Sequence, residues 1–381
     1  MARGGGRYGT GERWDNGAVE GTPDIGVVGA GIVGLSTAYA LRERSASVCV
    51  YDGGLPGSGQ STGETRIFRH AHDDPRLVEF ARISRGVWDE WGERLGVELV
   101  SRDGAIALGP AAERRLALLE QAGVPARAIG RSELAQRLPV LAGYEGPAML
   151  DEAGGAIRVR AAIAALSSEL GDALVTDEVI SLRPTAWGTV EVRCRGRRTE
   201  HSRVVVCAGT GTARLARSIG LSPPVRLCAH ARATFDVRDR SELLACLQDG
   251  SGEFGEPAAY GAPLPGNERY AVGIAENVAV REDGSFLDPE HLATLAERAG
   301  DYVRRALPGL DPDPVALVHC WITELPWGDD GMGVWESDGL LFAAGHNLFK
   351  QAPALGRVLA GAALGEDLPA QLRPEAELGV G

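Results

Sequence analysis

Residues 24–52 read DIGVVGAGIVGLSTAYALRERSASVCVYD, and this stretch decides the fold. It begins with an apolar strand, IGVV, turns through glycines, and continues with apolar residues at helical spacing. A second apolar strand, VCVY, follows and ends in Asp52. The order strand, turn, helix, strand is a βαβ unit. Gly29, Gly31 and Gly34 form GxGxxG directly after the first strand and at the start of the helix, the context in which this motif marks a dinucleotide site. Gly29 permits the tight turn, Gly31 lets the backbone approach a pyrophosphate, and Gly34 lets the helix pack closely. Ala30, Ile32 and Val33 complete the turn, whose helix N-terminus offers free N–H groups to an anion. Asp52, followed by Gly53, stands where a carboxylate accepts the hydrogen bonds of an adenosine ribose.

FAD and NAD both use such a turn. No second complete GxGxxG unit serves a nicotinamide partner, whereas VVVCAGTGT at 204–212 runs from an apolar strand into a small-residue turn at Ala208 and Gly209. A chain passes back beneath a bound flavin in this way, although the segment taken alone reads equally as a buried strand end. Val179, closing an expected strand over 173–179, joins the expected cofactor contacts.

Around this unit the composition is that of a globular chain of 381 residues, 44% apolar and 24% charged, a length suited to two domains or one elaborated domain. A net charge of -13 argues against nucleic acid and anionic membranes, which need clustered cations. No run approaches the roughly 20 apolar residues of a membrane span, and the N-terminus lacks the apolar core of a signal peptide, so the expected location is cytoplasmic. Cys49, Cys194, Cys207, Cys228, Cys246 and Cys320 show no CxxC spacing and are expected as buried thiols, with no metal site and no disulfide framework. Arginine is abundant, yet the chain has a single lysine, Lys350.

Residues 1–22, rich in glycine and polar groups, are expected to form a disordered tail. GGLPGSGQSTGETRIFRHAH at 53–72 is too long for a simple connection and is expected to be a ligand-holding loop. Asp74 and Pro75 open a helix carrying Phe80, Ile83, Val87, Trp88 and Trp91, an aromatic stripe expected in the core. Alternating segments between 223 and 277 predict an antiparallel sheet, and LLFAAG at 340–345 predicts a strand, followed by a HNLFKQAP loop and a last Ala/Leu/Gly helix. The expected fold is α/β (α+β overall): a Rossmann-like FAD-binding domain assembled from 23–75, 150–220 and 320–372, with a mainly antiparallel-sheet substrate domain from 76–149 and 221–319 inserted into it.

These residues resemble the sarcosine oxidase and N-methyltryptophan oxidase branch of the D-amino acid oxidase-type flavoproteins, over nearly everything from Asp24 to about Gly365. STGETRIFRHAH at 61–72, which contains Ser61, Thr62, Thr65, Arg66 and Arg69, is similar to the family segment that lies along the flavin and supplies two arginines to the active site. HCWITELP at 319–326 resembles the segment whose cysteine is joined through sulfur to the flavin, with Pro326 in register. AAGHNLFKQAPALG at 343–356 looks like the family's G-x-F-K-x-x-P-x-x-G turn. The resemblance implies FAD attached through Cys320, beside Trp321, and cofactor contacts from Gly345, His346, Asn347, Leu348, Phe349 and Lys350. It further implies a substrate carboxylate held by Arg69 and Lys350, Arg66 near the flavin ring, and Tyr260 orienting the amine.

The pattern also departs from the family. Ala271 stands where the family has the lysine that promotes reaction with oxygen, Ala275 where it has a histidine, and Ile322 where it has a tyrosine. The HNLFK turn is shorter than the usual form. A more apolar and roomier pocket follows, suited to a larger or cyclic amino acid. The expected activity is FAD-dependent oxidation of a carboxylate-bearing secondary amine or cyclic imino or amino acid to an imine, with O2 reduced to H2O2, by a monomer with no nucleic-acid or membrane partner and a place in specialised metabolism. The alternatives are a flavin dehydrogenase of amino or hydroxy acids using another acceptor, and a catalytically silent flavin-binding protein.

Overall fold

The computed structural model describes residues 24–281 and 284–380, so the expected tail at 1–22 lies outside the described residues. The opening unit forms as read: β1 (Ile25–Val28), α1 (Ile32–Glu43) and β2 (Val48–Asp52). β1 lies inside a six-stranded sheet ordered Met332–Ser337, Leu340–Gly345, Arg203–Val206, β1, β2, Leu174–Thr176. All neighbours run parallel except the first pair, which is antiparallel. A parallel strand is covered on both faces, which is why IGVV carries no polar residue. Ile25 and Val27 enter one core with α1 and the final helix Leu348–Ala363, while Val28 enters another with Val204, Val206 and Phe342. Leu35 and Leu41 of α1 are wholly buried, and each such side chain stabilises the fold by roughly 1.5–3 kcal/mol. α1 and the final helix touch through Gly356, where a Cβ would lie 2.6 Å from the backbone of Ser36.

The segment 53–72 is not all loop. It contains β3 (Thr65–Phe68), paired antiparallel with Gly155–Arg158. α2 (Pro75–Leu95) begins as expected, with Asp74 Oδ1 accepting the Arg76 N–H at 2.9 Å. Phe80, Val87, Trp88 and Trp91 are buried in the same core as α1, but Ile83 turns outward and is 45% exposed. Two further readings need correction. The strand expected over 173–179 is divided at Asp177, so Leu174–Thr176 extends the parallel sheet and Val179–Pro184 starts a separate three-stranded antiparallel sheet. The HNLFKQAP segment is mostly helix, because Asn347 takes the left-handed conformation (φ 55°) as N-cap and the helix begins at Leu348, running through Pro353.

The second large sheet is antiparallel apart from the pairing of Cys246–Asp249 with Ala105–Leu108. Its longest strand, Arg226–Asp236, pairs with Ala316–Glu324 along its length, setting His230 opposite Cys320. Its other edge pairs with Arg269–Ile274, setting Arg232 opposite Gly273. No helix among the described residues is long and apolar enough to cross a membrane.

Candidate active site

One cavity of about 790 Å³ runs from the glycine turn after β1 to the first turn of the final helix. Its near end fits a dinucleotide. Gly29 has φ 102°, and a Cβ there would lie 2.4 Å from the Cys207 carbonyl oxygen; a Cβ on Gly34 would lie 1.9 Å from the Gly29 carbonyl. Both positions therefore accept only glycine. Gly31 faces the cavity, and Ser61 Oγ accepts the N–H of Ile32 at 2.9 Å beside it. Asp52 is fixed at the rim by the N–H groups of Ala30 (2.6 Å) and Gly54 (2.8 Å). Ile32, Val33, Gly53, Val179, Ala208 and Gly209 also line the cavity, whereas Ala30 and Gly34 support the turn from behind.

The far end gathers the other expected residues. Arg66, Arg69, Tyr260, Cys320, Trp321, Gly345, His346, Asn347, Leu348, Phe349 and Lys350 all line it. Thr62 and Thr65 do not; their carbonyl oxygens instead accept from Arg66 at 2.6 and 2.9 Å. Ala258, Ala259, Ala262, Ala271 and Ala275 make one wall, so the missing large groups at 271 and 275 translate into space.

Several functional-site residues are invisible to sequence pattern. Arg232, on the polar face of its strand with His230 and Thr234, would be expected in solvent, but it is buried in the cavity wall and donates to the Thr65 carbonyl at 3.0 Å. A Cβ built on Gly63 would sit 2.8 Å from Arg66 Nη1 and 3.1 Å from Arg232 Nη2, so two guanidinium groups converge there. Neither has a carboxylate partner among the described residues. Burial, followed by the Arg232 charge, pushes the Arg66 pKa down to about 10. His230 is pushed down to about 4 by burial and by the same two arginines. The Tyr260 hydroxyl is buried with no hydrogen-bond partner among the described residues, and burial raises its pKa, keeping it a neutral donor.

The least expected residue is Asp330, on the loop between Ala316–Glu324 and Met332–Ser337. Its Oδ2 accepts from Arg69 Nη2 at 2.6 Å and His72 Nδ1 at 2.9 Å, and its Oδ1 from Asn347 Nδ2 at 2.7 Å and Lys350 Nζ at 3.2 Å. Burial works to raise the Asp330 pKa, but Arg69, Lys350 and His72 outweigh it and hold the carboxyl well below its usual range. Arg69 also donates to the Ala71 carbonyl. Burial and then the Arg69 charge lower Lys350 to about 7. Nothing in the stretch WGDDG marks this carboxylate, since the four donors come from segments far apart in sequence.

Known proteins resemble this chain over nearly all of its described length. The mouse (Mus musculus) peroxisomal sarcosine oxidase is 26% identical over 364 residues, covering 88% of this chain and 90% of that protein. The solved open form of NikD, described as an unusual amino acid oxidase essential for nikkomycin biosynthesis, superposes with a TM-score of 0.78 at 22% identity, over 94% of this chain and 97% of its own. L-proline dehydrogenase from P. horikoshii gives 0.76 at 18% identity, over 92% and 96%. The two structural likenesses speak for the fold alone. The family model "DAO: FAD dependent oxidoreductase" matches residues 24–362, a span that includes the glycine turn, the convergent arginines and all but the last residue of the final helix. The chain thus belongs to the FAD dependent oxidoreductase family, and it is an FAD-dependent amine or amino acid oxidoreductase.

Proposed function

We propose that the chain oxidises a carboxylate-bearing secondary amine, or a cyclic imino or amino acid, to the corresponding imine. The convergence of Arg69 and Lys350 at the end of the cavity that begins at the dinucleotide turn carries this reading. Bound FAD would supply a two-electron acceptor: the C–H next to nitrogen would leave as a hydride equivalent and the N–H as a proton while the C=N bond forms, and the two electrons would pass with two protons to O2, giving H2O2. Residues of the chain do the positioning. Arg69 and Lys350 hold the carboxylate, and the unpartnered Tyr260 hydroxyl offers a hydrogen bond to the nitrogen. Arg66 and Arg232 converge at the cavity wall, where their positive charge would stabilise an acceptor that has taken up an electron pair. Cys320, buried and opposite His230, supplies the thiol for covalent attachment of the flavin. The alanine wall leaves room for a ring.

In this reading the dinucleotide-binding unit is assembled from 23–75, 150–220 and 320–372, with 76–149 and 221–319 closing the substrate end; the tryptophan face of α2 lies in the core of the first unit. A dehydrogenase using another acceptor is the second reading, favoured by Ala271 and Ala275 at the cavity wall.

The test is an absorbance spectrum of purified protein before and after acid precipitation, followed by anaerobic addition of cyclic and N-methyl amino acids. Flavin that stays with the pellet in the wild type but not in Cys320→Ala, with bleaching by one substrate class, supports the proposal. Colour in the supernatant of the wild type removes the covalent link, and a spectrum unchanged by every amine and amino acid removes the activity. Bleaching followed by slow recovery in air selects the dehydrogenase.

A further inference from the structure

Two cations placed to hold a ligand carboxylate are already holding one that belongs to the protein. Asp330 bridges Arg69 and Lys350, and His72 and Asn347 complete four donors on its two oxygens. A carboxylate has about four lone-pair positions, so Asp330 is saturated. It reaches this place from a loop that lines the cavity between two strands, not from inside a strand or helix. Arg69, Lys350 and Asp330 together leave a single net positive charge. Without Asp330, two cations with side chains 11% and 5% exposed would face each other with nothing between them, an arrangement burial makes costly.

From this geometry we infer that Asp330 is an exchangeable internal ligand: it occupies the carboxylate position of the empty site, and a substrate carboxylate binds by taking its place on Arg69 and Lys350. The inference rests on the proposed reading of Arg69 and Lys350 as the carboxylate clamp. It makes Asp330 a specificity-determining residue. A ligand enters only when its remaining contacts, to Tyr260 and the alanine wall, offset the loss of four hydrogen bonds to Asp330. Simple anions lack those contacts and bind weakly, although the clamp is positive. Exchange of one carboxylate for another also keeps the buried charge constant, so neither state leaves an unpaired buried cation.

The loop has ties that must survive or break. The Asp329 carbonyl accepts from His346 Nδ1 at 2.6 Å, and the Gly331 carbonyl accepts from the His346 N–H at 3.0 Å. Trp327 Nε1 donates to the Leu378 carbonyl at 3.1 Å. Release of Asp330 should therefore loosen the segment 327–331 without detaching Trp327.

The experiment compares holoenzyme and Asp330→Asn, titrated anaerobically with acetate and with benzoate, the flavin absorbance reporting occupancy. Asn keeps the size of the side chain and removes the competing charge. Exchange predicts at least tenfold tighter binding of both carboxylates to Asp330→Asn. Unchanged or weaker binding overturns it and makes Asp330 a permanent member that positions the clamp. Because that variant can also fold poorly, amide hydrogen exchange on the wild type supplies a second reading: saturating benzoate should speed exchange at 327–331, and slowed or unaltered exchange there is also contrary to displacement. A Lys350→Met control separates the two levels of argument. If Lys350→Met binds carboxylates as well as the wild type does, the clamp itself is wrong; if it loses binding while Asp330→Asn gains nothing, only the exchange is wrong.

Discussion

Raising the pH from 6 to 9 should weaken carboxylate binding by removing the charge of Lys350. Burial and the neighbouring Arg69 lower this lysine to about 7, so it is cationic below that pH and neutral above it. The groups facing it do not share the titration. His72 and His346 are pushed down to about 3 and about 4 by burial and stay neutral in this window, while Asp330 stays anionic beside the Arg69 and Arg115 guanidinium groups. Binding that requires the protonated lysine falls about tenfold for each pH unit above its pKa, which amounts to about a hundredfold at pH 9. Arg69 retains part of the attraction, and Asp330 competes less for an uncharged lysine, so the observed loss should stay well below a hundredfold. Anaerobic titration of the holoenzyme with benzoate at each pH measures it. Lys350→Arg should flatten the profile, because a guanidinium does not deprotonate in this range. The sole lysine allows a second measurement: an amine-acylating reagent followed by mass spectrometry reads the Nζ titration directly, apart from the α-amino group. An acylation midpoint near the ordinary value of about 10.4 refutes the reasoning, whereas a flat affinity with a midpoint near 7 shows that Asp330 loses as much attraction to the lysine as the ligand does, as exchange on the clamp requires.

The converging arginines should govern the electron affinity of the bound flavin. Arg232→Met is expected to weaken the flavin–sulfite adduct at least tenfold and to lower the two-electron midpoint potential by about 30 mV or more, a tenfold effect in that couple; a potential within error of the wild type would remove Arg232 from the site's electrostatics. Gly34→Ala places a Cβ 1.9 Å from the Gly29 carbonyl, so the purified variant should be colourless with its secondary structure intact by circular dichroism. A yellow Gly34→Ala protein with normal flavin stoichiometry would show that the turn adapts.

The opening βαβ unit was legible because its causes are local. Strand hydrophobicity, the glycine spacing and the acid that ends β2 all lie within residues 24–52. The single lysine was legible for a different reason, since a residue type used once is conspicuous. Arg232 and Asp330 were not, because their roles exist only across distance: Arg232 meets Arg66 from a second segment far along the chain, and Asp330 collects donors from residues 69, 72, 347 and 350. The HNLFKQAP segment misled for a local reason. Proline and asparagine are turn signals, yet Asn347 acts as the N-cap and the packing of the helix on α1 outweighs the backbone hydrogen bond that Pro353 lacks.

The contact between α1 and the final helix also sets a timetable. The glycine turn is among the first segments of the domain to be synthesised, but the surface that supports its helix, Leu348–Ala363, is among the last. While the chain is still being made, α1 has a bare apolar face and the dinucleotide turn has no far wall. The cradle for the cofactor is therefore completed only after translation has passed Leu348–Ala363, which confines stable loading of a flavin to chains that already carry this helix.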